Sequence, residues 1–83
     1  MIQNNIAQAA RELKLLKISY VDKKNIHTTR TVEPYEIKNG KLWGHCVAKN
    51  GIRQFDINQI IQAVVQDKTF VPRHPVKING PSV

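Results

Sequence analysis

The chain has 83 residues, 41% of them hydrophobic, and thirteen Lys and Arg against six Asp and Glu give a formal charge of +7. This length accommodates one small domain, residues 1–83, and leaves no room for a second folded unit. The single cysteine, Cys46, excludes an internal disulfide and has no CxxC motif or suitably placed histidine to form a zinc site, so we expect no metal and no cofactor.

The excess of positive charge indicates a polyanionic partner. Contacts with phosphates dominate the electrostatics of nucleic-acid binding, so this charge on so small a chain favours nucleic acid over a role in solubility alone. No apolar run approaches the roughly 20 residues of a membrane span, and the N-terminus lacks the charged and apolar regions of a signal peptide. We therefore expect a cytoplasmic protein that does not bind membranes.

The first predicted element is a short helix over about residues 4–14. Asn4 or Asn5 can cap it. Apolar residues recur behind this cap at helical spacing: Ile6, Ala9, Ala10 and Leu13. Everything after the helix has the pattern of strands.

Two strands are predicted next, over residues 15–21 and 26–38, joined by the polar turn 22–25. The first alternates apolar and polar residues, and the second is rich in β-branched residues. Pro34 interrupts the second strand and cannot donate to a ladder, so it marks an edge or a bend.

Two Asn-Gly dipeptides predict hairpins with two-residue type I′ turns. Asn39-Gly40 leads into a strand over 41–49, and Asn50-Gly51 leads into a strand over 52–57. The first turn sets Ile37 opposite Leu42 and Tyr35 opposite Gly44, and the second sets Cys46 opposite Phe55.

This register turns Arg53 toward the apolar face, whereas Lys41, Trp43 and His45 lie on the opposite face of the middle strand. Asp56 or Asn58 can cap a brief turn before a last strand near 61–67. Residues 71–83, with three prolines, are predicted to form an extended tail. The fold class is therefore mainly β: a short N-terminal helix followed, over about 15–70, by a small five-stranded antiparallel barrel.

Five short motifs resemble the WYL domain of bacterial and phage regulators over about residues 12–74. They occur in the family's order: ISY (18–20), RTVEP (30–34), GHC (44–46), RQF (53–55) and FVPR (70–73). The resemblance has departures. The triplet that names the family falls on Gly40, Lys41 and Leu42, and two further arginines of the family are replaced by Asp56 and Gln59.

The resemblance implies a Sm-like (Src-homology-3-like) barrel whose basic surface binds nucleic acid or a nucleotide ligand and passes a signal to an attached effector. The positions that carry over by motif are Tyr20, Arg30, His45 and Arg53. WYL proteins usually have a helix-turn-helix before this domain. The eleven or so residues ahead of the first strand cannot form one, so we expect no duplex recognition by that route.

Each candidate residue has a structural alternative. Arg53 could hold a phosphate with its guanidinium, or pair with Glu33 or Asp56 to tie strands together. Trp43 could stack on an unpaired base, or pack on the helix. His45 could contact a phosphate, or be a hydrogen-bonded strand histidine. Lys41 could belong to a lysine stripe that follows phosphates, or keep a turn soluble.

Two functions remain, and neither is enzymatic, because no catalytic constellation is visible. The first is a regulatory module that binds nucleic acid, preferably single-stranded DNA or RNA, or a nucleotide, through Tyr20, Arg30, Lys41, Trp43, His45 and Arg53. The alternative is a small phage-type module that docks on a host enzyme or regulator through Trp43 and an open strand edge. Open edges would also allow a homodimer, although no pattern defines its interface.

Overall fold

The computed structural model describes residues 2–78, which form one helix and a five-stranded antiparallel sheet. The helix α1 spans Ile2–Glu12. The strands are β1 Lys14–Val21, β2 His27–Lys38, β3 Lys41–Cys46, β4 Gly51–Asp56 and β5 Ile60–Thr69. A 3₁₀ turn, Ile57–Gln59, joins the last two strands, and the Asp56 side chain caps it as expected, accepting from Asn58 N. The prediction of a mainly β fold with an N-terminal helix is confirmed.

The strand order is β4-β3-β2-β1-β5, so β4 and β5 are the edges of the sheet. No ladder joins these two edges within residues 2–78, and the sheet is therefore not closed. The predicted closed barrel is not confirmed. In a closed barrel β4 and β5 would pair with each other, whereas here each of them keeps one side of its backbone free of sheet pairing. None of the described helical residues forms a segment long and apolar enough to cross a bilayer.

Strand β2 changes partners halfway along its length. Its first half pairs with β1 as far as Val32, and its second half pairs with β3 from Val32 onward. Pro34 lies beyond the last β1 pair, so its missing N–H costs no bond to that strand. The register shifts between Pro34 and Glu36, which leaves Tyr35 as an extra residue. Pro34, and not Tyr35, therefore lies opposite Gly44, and the predicted pairing of Tyr35 is wrong.

The two predicted hairpins have different outcomes. Asn39 and Gly40 have φ angles of 54° and 73°, the left-handed values of a type I′ turn, and Ile37 lies opposite Leu42 as predicted. The second hairpin turns earlier than expected, through the four-residue loop 47–50, so that Leu42 and not Cys46 lies opposite Phe55. The predicted two-residue turn at Asn50-Gly51 is wrong, because Asn50 ends the loop and donates its N–H to the Val47 carbonyl at 3.3 Å.

The register error leaves the faces of the sheet unchanged, because the pairing moves by an even number of residues. One face, which we call the helix face, packs against α1. Its buried core includes Leu16, Ile18, Val32 and Leu42, with Ile6, Ala9 and Ala10 from the helix. The opposite face, which we call the outer face, carries Lys17, Glu33, His45 and Trp43.

The segment 70–78 has no helix or strand but is packed against the domain. Phe70 N donates to the Leu13 carbonyl at 2.9 Å, and Lys77 N donates to the Tyr35 carbonyl at 2.7 Å. Ile78 is buried and joins the core on the helix face. The first part of the predicted tail is therefore held against β2, and its remainder, residues 79–83, lies outside the described residues.

Candidate functional site

A small pocket on the helix face gathers residues from separate parts of the chain. We call it the basic pocket. Its volume is about 60 Å³, and its lining is Tyr20, Arg30, Cys46, Lys49, Arg53 and Phe55. Three of the six residues predicted to bind a ligand, Tyr20, Arg30 and Arg53, therefore meet at one place. Lys49 adds a third cation, which comes from the loop 47–50.

Strand register explains how the two arginines converge. Arg30 lies opposite Ile18, and Arg53 lies opposite Gly44, so both point to the helix face as neighbouring side chains do across a ladder. Gly44 is needed for a close approach of strands, because a Cβ at this position would lie 2.8 Å from the carbonyl oxygen of Glu33. The glycine also leaves the space in front of Arg53 free of a side chain.

The cations of the basic pocket have no carboxylate partner among residues 2–78. Arg30 makes one hydrogen bond, from a terminal nitrogen to the Thr29 carbonyl at 3.3 Å, and neither Lys49 nor Arg53 forms an ion pair in this range. The structural alternative for Arg53, pairing with Glu33 or Asp56, is not observed. Positive charge that is not neutralised within the fold is available to an anion from outside.

Two aromatic rings form the apolar part of the basic pocket. The centroids of Tyr20 and Phe55 lie 5.2 Å apart, with the ring planes inclined at 60°. Phe55 is buried, whereas Tyr20 is half-buried, and its hydroxyl makes no hydrogen bond within the described chain. The pocket therefore combines a fixed apolar base with three cations and a free hydroxyl.

The other three predicted residues, Lys41, Trp43 and His45, lie on the outer face and do not contribute to the basic pocket. Lys41 is exposed beside the Asn39-Gly40 turn. Trp43 is half-buried and points away from the helix, so the expectation that it packs on α1 is not met. Its indole Nε1 is buried and finds no acceptor among residues 2–78. The structure thus divides the predicted site between two faces of the sheet.

His45 belongs to a different cleft, which we call the outer cleft. His45 is buried and lies directly across the ladder from Glu33. The cleft has a volume of about 720 Å³, with Glu33, His45 and Arg73 among its lining residues. The segment that follows β5 forms one of its walls.

A buried carboxylate organises this side of the molecule. Glu33 is 3% exposed, and its Oε1 accepts from the Tyr35 hydroxyl at 2.5 Å. Arg73 Nε donates to both oxygens of Glu33, at 3.1 and 3.3 Å, and Arg73 N donates to the Tyr35 hydroxyl at 3.0 Å. We call these three residues the Glu33 network. They fasten the segment after β5 to strand β2.

The Glu33 network shifts the pKa of two of its members. Burial is the main cause that raises the pKa of the Tyr35 hydroxyl; the backbone N–H of Arg73 opposes it, and the hydrogen bond and charge of Glu33 add to it. The same carboxylate raises the pKa of Arg73, first by hydrogen bonding and then by its charge. Arg73 is therefore a permanent cation and Tyr35 a neutral phenol at neutral pH.

Sequence reasoning missed the Glu33 network, although the signal was present. Glu33 is the acid of RTVEP, and Arg73 is the last residue of FVPR, two motifs that lie forty residues apart in the chain. The sequence offered Glu33 as a partner for Arg53, and Arg73 was not considered for that role. An acid that is buried within a strand requires a partner, and the arginine that ends FVPR was a candidate.

Comparison with known proteins agrees with this architecture. No curated protein matches the chain. Proteasome accessory factor B/C (PafBC) of Arthrobacter aurescens has a similar fold, with a TM-score of 0.69 and 20% identity over 93% of this chain, which spans 14% of the length of that protein. The model of the WYL domain matches residues 2–65. The chain belongs to the WYL domain family.

Proposed function

We propose that this WYL domain is a regulatory module that binds nucleic acid, with a preference for single strands, or a nucleotide, through the basic pocket. The observation that carries the proposal is the convergence of Arg30, Lys49 and Arg53 around one small pocket with no carboxylate partner in residues 2–78. Arginine side chains offer paired donors that match a phosphate, and the net charge of +7 adds attraction over a longer range.

The dimensions of the basic pocket favour a phosphate over a base. A volume of about 60 Å³ is roughly that of two water molecules in the liquid. An anionic group can therefore enter, while a base and its sugar would remain outside, against Tyr20 or in solvent. Recognition of this kind depends on the backbone and does not depend on sequence. We accordingly propose that the module tracks phosphates and has little base preference.

The regulatory part of the proposal rests on the family. This chain spans a small part of the length of PafBC, a protein named as a proteasome accessory factor. In such an arrangement the domain would sense a ligand and act on an attached or associated effector. The Glu33 network fastens the segment 70–78 to β2, the strand that also carries Arg30, so the basic pocket has a physical connection to that segment.

Fluorescence anisotropy of a labelled single-stranded oligonucleotide tests the proposal. With three pocket cations engaged, the logarithm of the association constant should fall with the logarithm of salt concentration with a slope of about −2, which is a loss of roughly fifteenfold between 50 and 200 mM salt. Arg53→Glu should abolish binding. Lys17→Glu is the matched control, since it makes the same change of charge at an exposed position on the outer face of β1.

Two outcomes would refute the nucleic-acid proposal. One is no binding at 50 mM salt by a protein shown to be folded. The other is an equal loss in Arg53→Glu and Lys17→Glu, which would mean that binding follows total charge and is not centred on the basic pocket. Free nucleoside monophosphates, added as competitors, separate a nucleotide ligand from a strand, because only a nucleotide site would be saturated by them.

A second candidate function is a protein-interaction module of the phage type. The buried indole N–H of Trp43 without an acceptor in the described chain, close to the unpaired edge strand β4, favours it. A partner that adds a strand to β4 could supply both the missing acceptor and the missing ladder. Binding of such a partner should be lost in Trp43→Ala and retained in Arg53→Glu, which is the reverse of the expectation for nucleic acid.

A further inference from the structure

The outer cleft has the composition of a second binding site, distinct from the basic pocket. At about 720 Å³ it is far larger than the basic pocket, and it lies on the opposite face of the sheet. Strands β2 and β3 form its floor, with the buried side chains of Glu33 and His45. The end of β5 and the residues that follow it form a wall.

The charged side chains that line the outer cleft have a net positive charge. Glu33 is already engaged, since it accepts from the Tyr35 hydroxyl and from Arg73 Nε. The terminal nitrogens of Arg73 make no hydrogen bond within residues 2–78, and half of this side chain is exposed. Lys68, also in the lining, forms no ion pair in the same range. The guanidinium is thus held at Glu33 through one nitrogen, and its other donors are left for a ligand in the cleft that Arg73 lines.

His45 adds a polar group that the fold itself does not use. Its side chain is 7% exposed and lines the outer cleft, yet its ring nitrogens make no hydrogen bond within the described chain. Trp43 Nε1, and neither ring nitrogen of His45, is the fully buried side-chain polar atom without a partner in residues 2–78, so the His45 ring keeps contact with solvent through the cleft. Both His45 and Arg73 line the cleft, so a ligand that fills it can meet both side chains.

The rest of the lining of the outer cleft is largely apolar and incompletely covered. Val71 is 86% exposed and Val47 is 48% exposed, although both are aliphatic and both border the cleft. Leu15, Phe70 and Pro72 complete this apolar lining. Apolar surface next to oriented cationic donors suits a molecule that has an apolar body and an anionic head.

We propose that the outer cleft binds a carboxylic acid with an apolar body. The carboxylate would accept from the terminal nitrogens of Arg73 and from His45, and the apolar body would lie on Val47, Phe70 and Val71. A planar carboxylate matches the paired donors of a guanidinium. Such a ligand would touch the segment after β5 directly, so its binding would tighten the attachment of that segment to β2.

Titration with octanoate, followed by NMR of the folded domain, tests this proposal. Octanoate should produce saturable shifts in the signals of the His45 ring and of Arg73 Nε–H, while 1-octanol and inorganic phosphate should not. Octanol lacks the head group and phosphate lacks the body, so the three probes separate the two requirements. Lys68→Gln and Val71→Ser, both at exposed positions outside the Glu33 network, should each weaken binding measurably without affecting the fold.

Arg73→Gln should weaken octanoate binding by about tenfold or more, because a bidentate charge-assisted contact is lost. Arg53→Gln in the basic pocket should leave the affinity unchanged. Three results would overturn the proposal: no saturable shift with octanoate, equal binding of phosphate, or shifts that follow Arg53 and not Arg73. None of them bears on nucleic-acid binding, so the two sites are tested independently.

Discussion

The basic pocket and the Glu33 network contain the same types of residue in opposite states. Each has a tyrosine and at least one arginine. In the Glu33 network, Arg73 is bound to the buried Glu33, and the Tyr35 hydroxyl both donates and accepts a hydrogen bond. In the basic pocket, Arg53 has no carboxylate partner and the Tyr20 hydroxyl has no hydrogen bond, among the described residues.

In a small basic domain, the partners of each arginine indicate which of them is available to a ligand. An arginine whose counter-charge is built into the fold is first a structural element, and only its remaining donors can serve a ligand. An arginine without one keeps all its donors available. Counting positive charges along the sequence does not make the distinction, because the position of a single acid, Glu33, decides it.

The two tyrosines give the sharpest test of the comparison. Tyr35→Phe removes the donor to Glu33 and the acceptor for Arg73 N, and it leaves a buried carboxylate with fewer partners. We expect it to lower the free energy of unfolding by about 1–3 kcal/mol. Tyr20→Phe deletes a hydroxyl that bonds to nothing in the described chain, so its effect should stay within about 0.5 kcal/mol. Urea unfolding of both variants measures the difference.

Equal losses of stability in Tyr35→Phe and Tyr20→Phe would contradict this contrast between the two tyrosines, since they would mean that the Tyr20 hydroxyl is also structural. A loss in neither variant would show that the Glu33 network contributes no net stability. Nucleic-acid binding should show the opposite pattern, with a larger effect of Tyr20→Phe than of Tyr35→Phe, because Tyr20 and not Tyr35 borders the basic pocket.

Replacement of the two arginines should show the same contrast in the free energy of unfolding, with a smaller difference between the variants. Arg73→Gln breaks a contact to a buried acid, but the guanidinium is half exposed, so solvent and salt screen the interaction. We expect a loss of stability below that of Tyr35→Phe, and a smaller loss in 1 M salt than in 50 mM salt. Arg53→Gln should leave stability unchanged. Midpoints of urea unfolding at the two salt concentrations are the measurement, and a larger loss in Arg53→Gln would reverse the assignment of roles.

Sequence patterns predicted the elements of this fold well because their causes are local. Alternation, β-branched residues and the Asn-Gly turns together located all five strands, and the φ angles of Asn39 and Gly40 are those of the predicted type I′ turn. The second Asn-Gly pair does not form a two-residue turn. The four-residue loop 47–50 reverses the chain instead, with Asn50 alone in the left-handed region. The bulge at Tyr35 is not visible in an alternating pattern, since it depends on where β2 leaves one partner for another.

Half of the predicted binding residues meet in the basic pocket, because the period of a strand fixes which face a side chain occupies. Tyr20, Arg30 and Arg53 share the helix face, and the even shift in register did not disturb this. Trp43 and His45 were grouped with them by residue type and motif, although their parity already placed them on the other face. The Glu33 network joins residues forty positions apart, a contact that no local pattern encodes.

The smallest expected effect is a dependence of stability on pH in the alkaline range. The pKa of Tyr35 is raised above its ordinary value of 10.0, chiefly by burial, so the folded protein holds this proton more tightly than the unfolded chain. The resulting stabilisation is fully present below the unfolded pKa and is lost as pH rises from about 10 through the folded pKa.

The stability advantage of the wild type over Tyr35→Phe should therefore be constant from pH 7 to 9 and narrow above pH 10. Urea unfolding at pH 8, 9, 10 and 11 measures this difference, in which the contributions of all groups that the two proteins share cancel. An advantage that stays constant to pH 11 would mean that Tyr35 ionises as easily in the folded protein as in the unfolded chain, and that the Glu33 network does not constrain its proton.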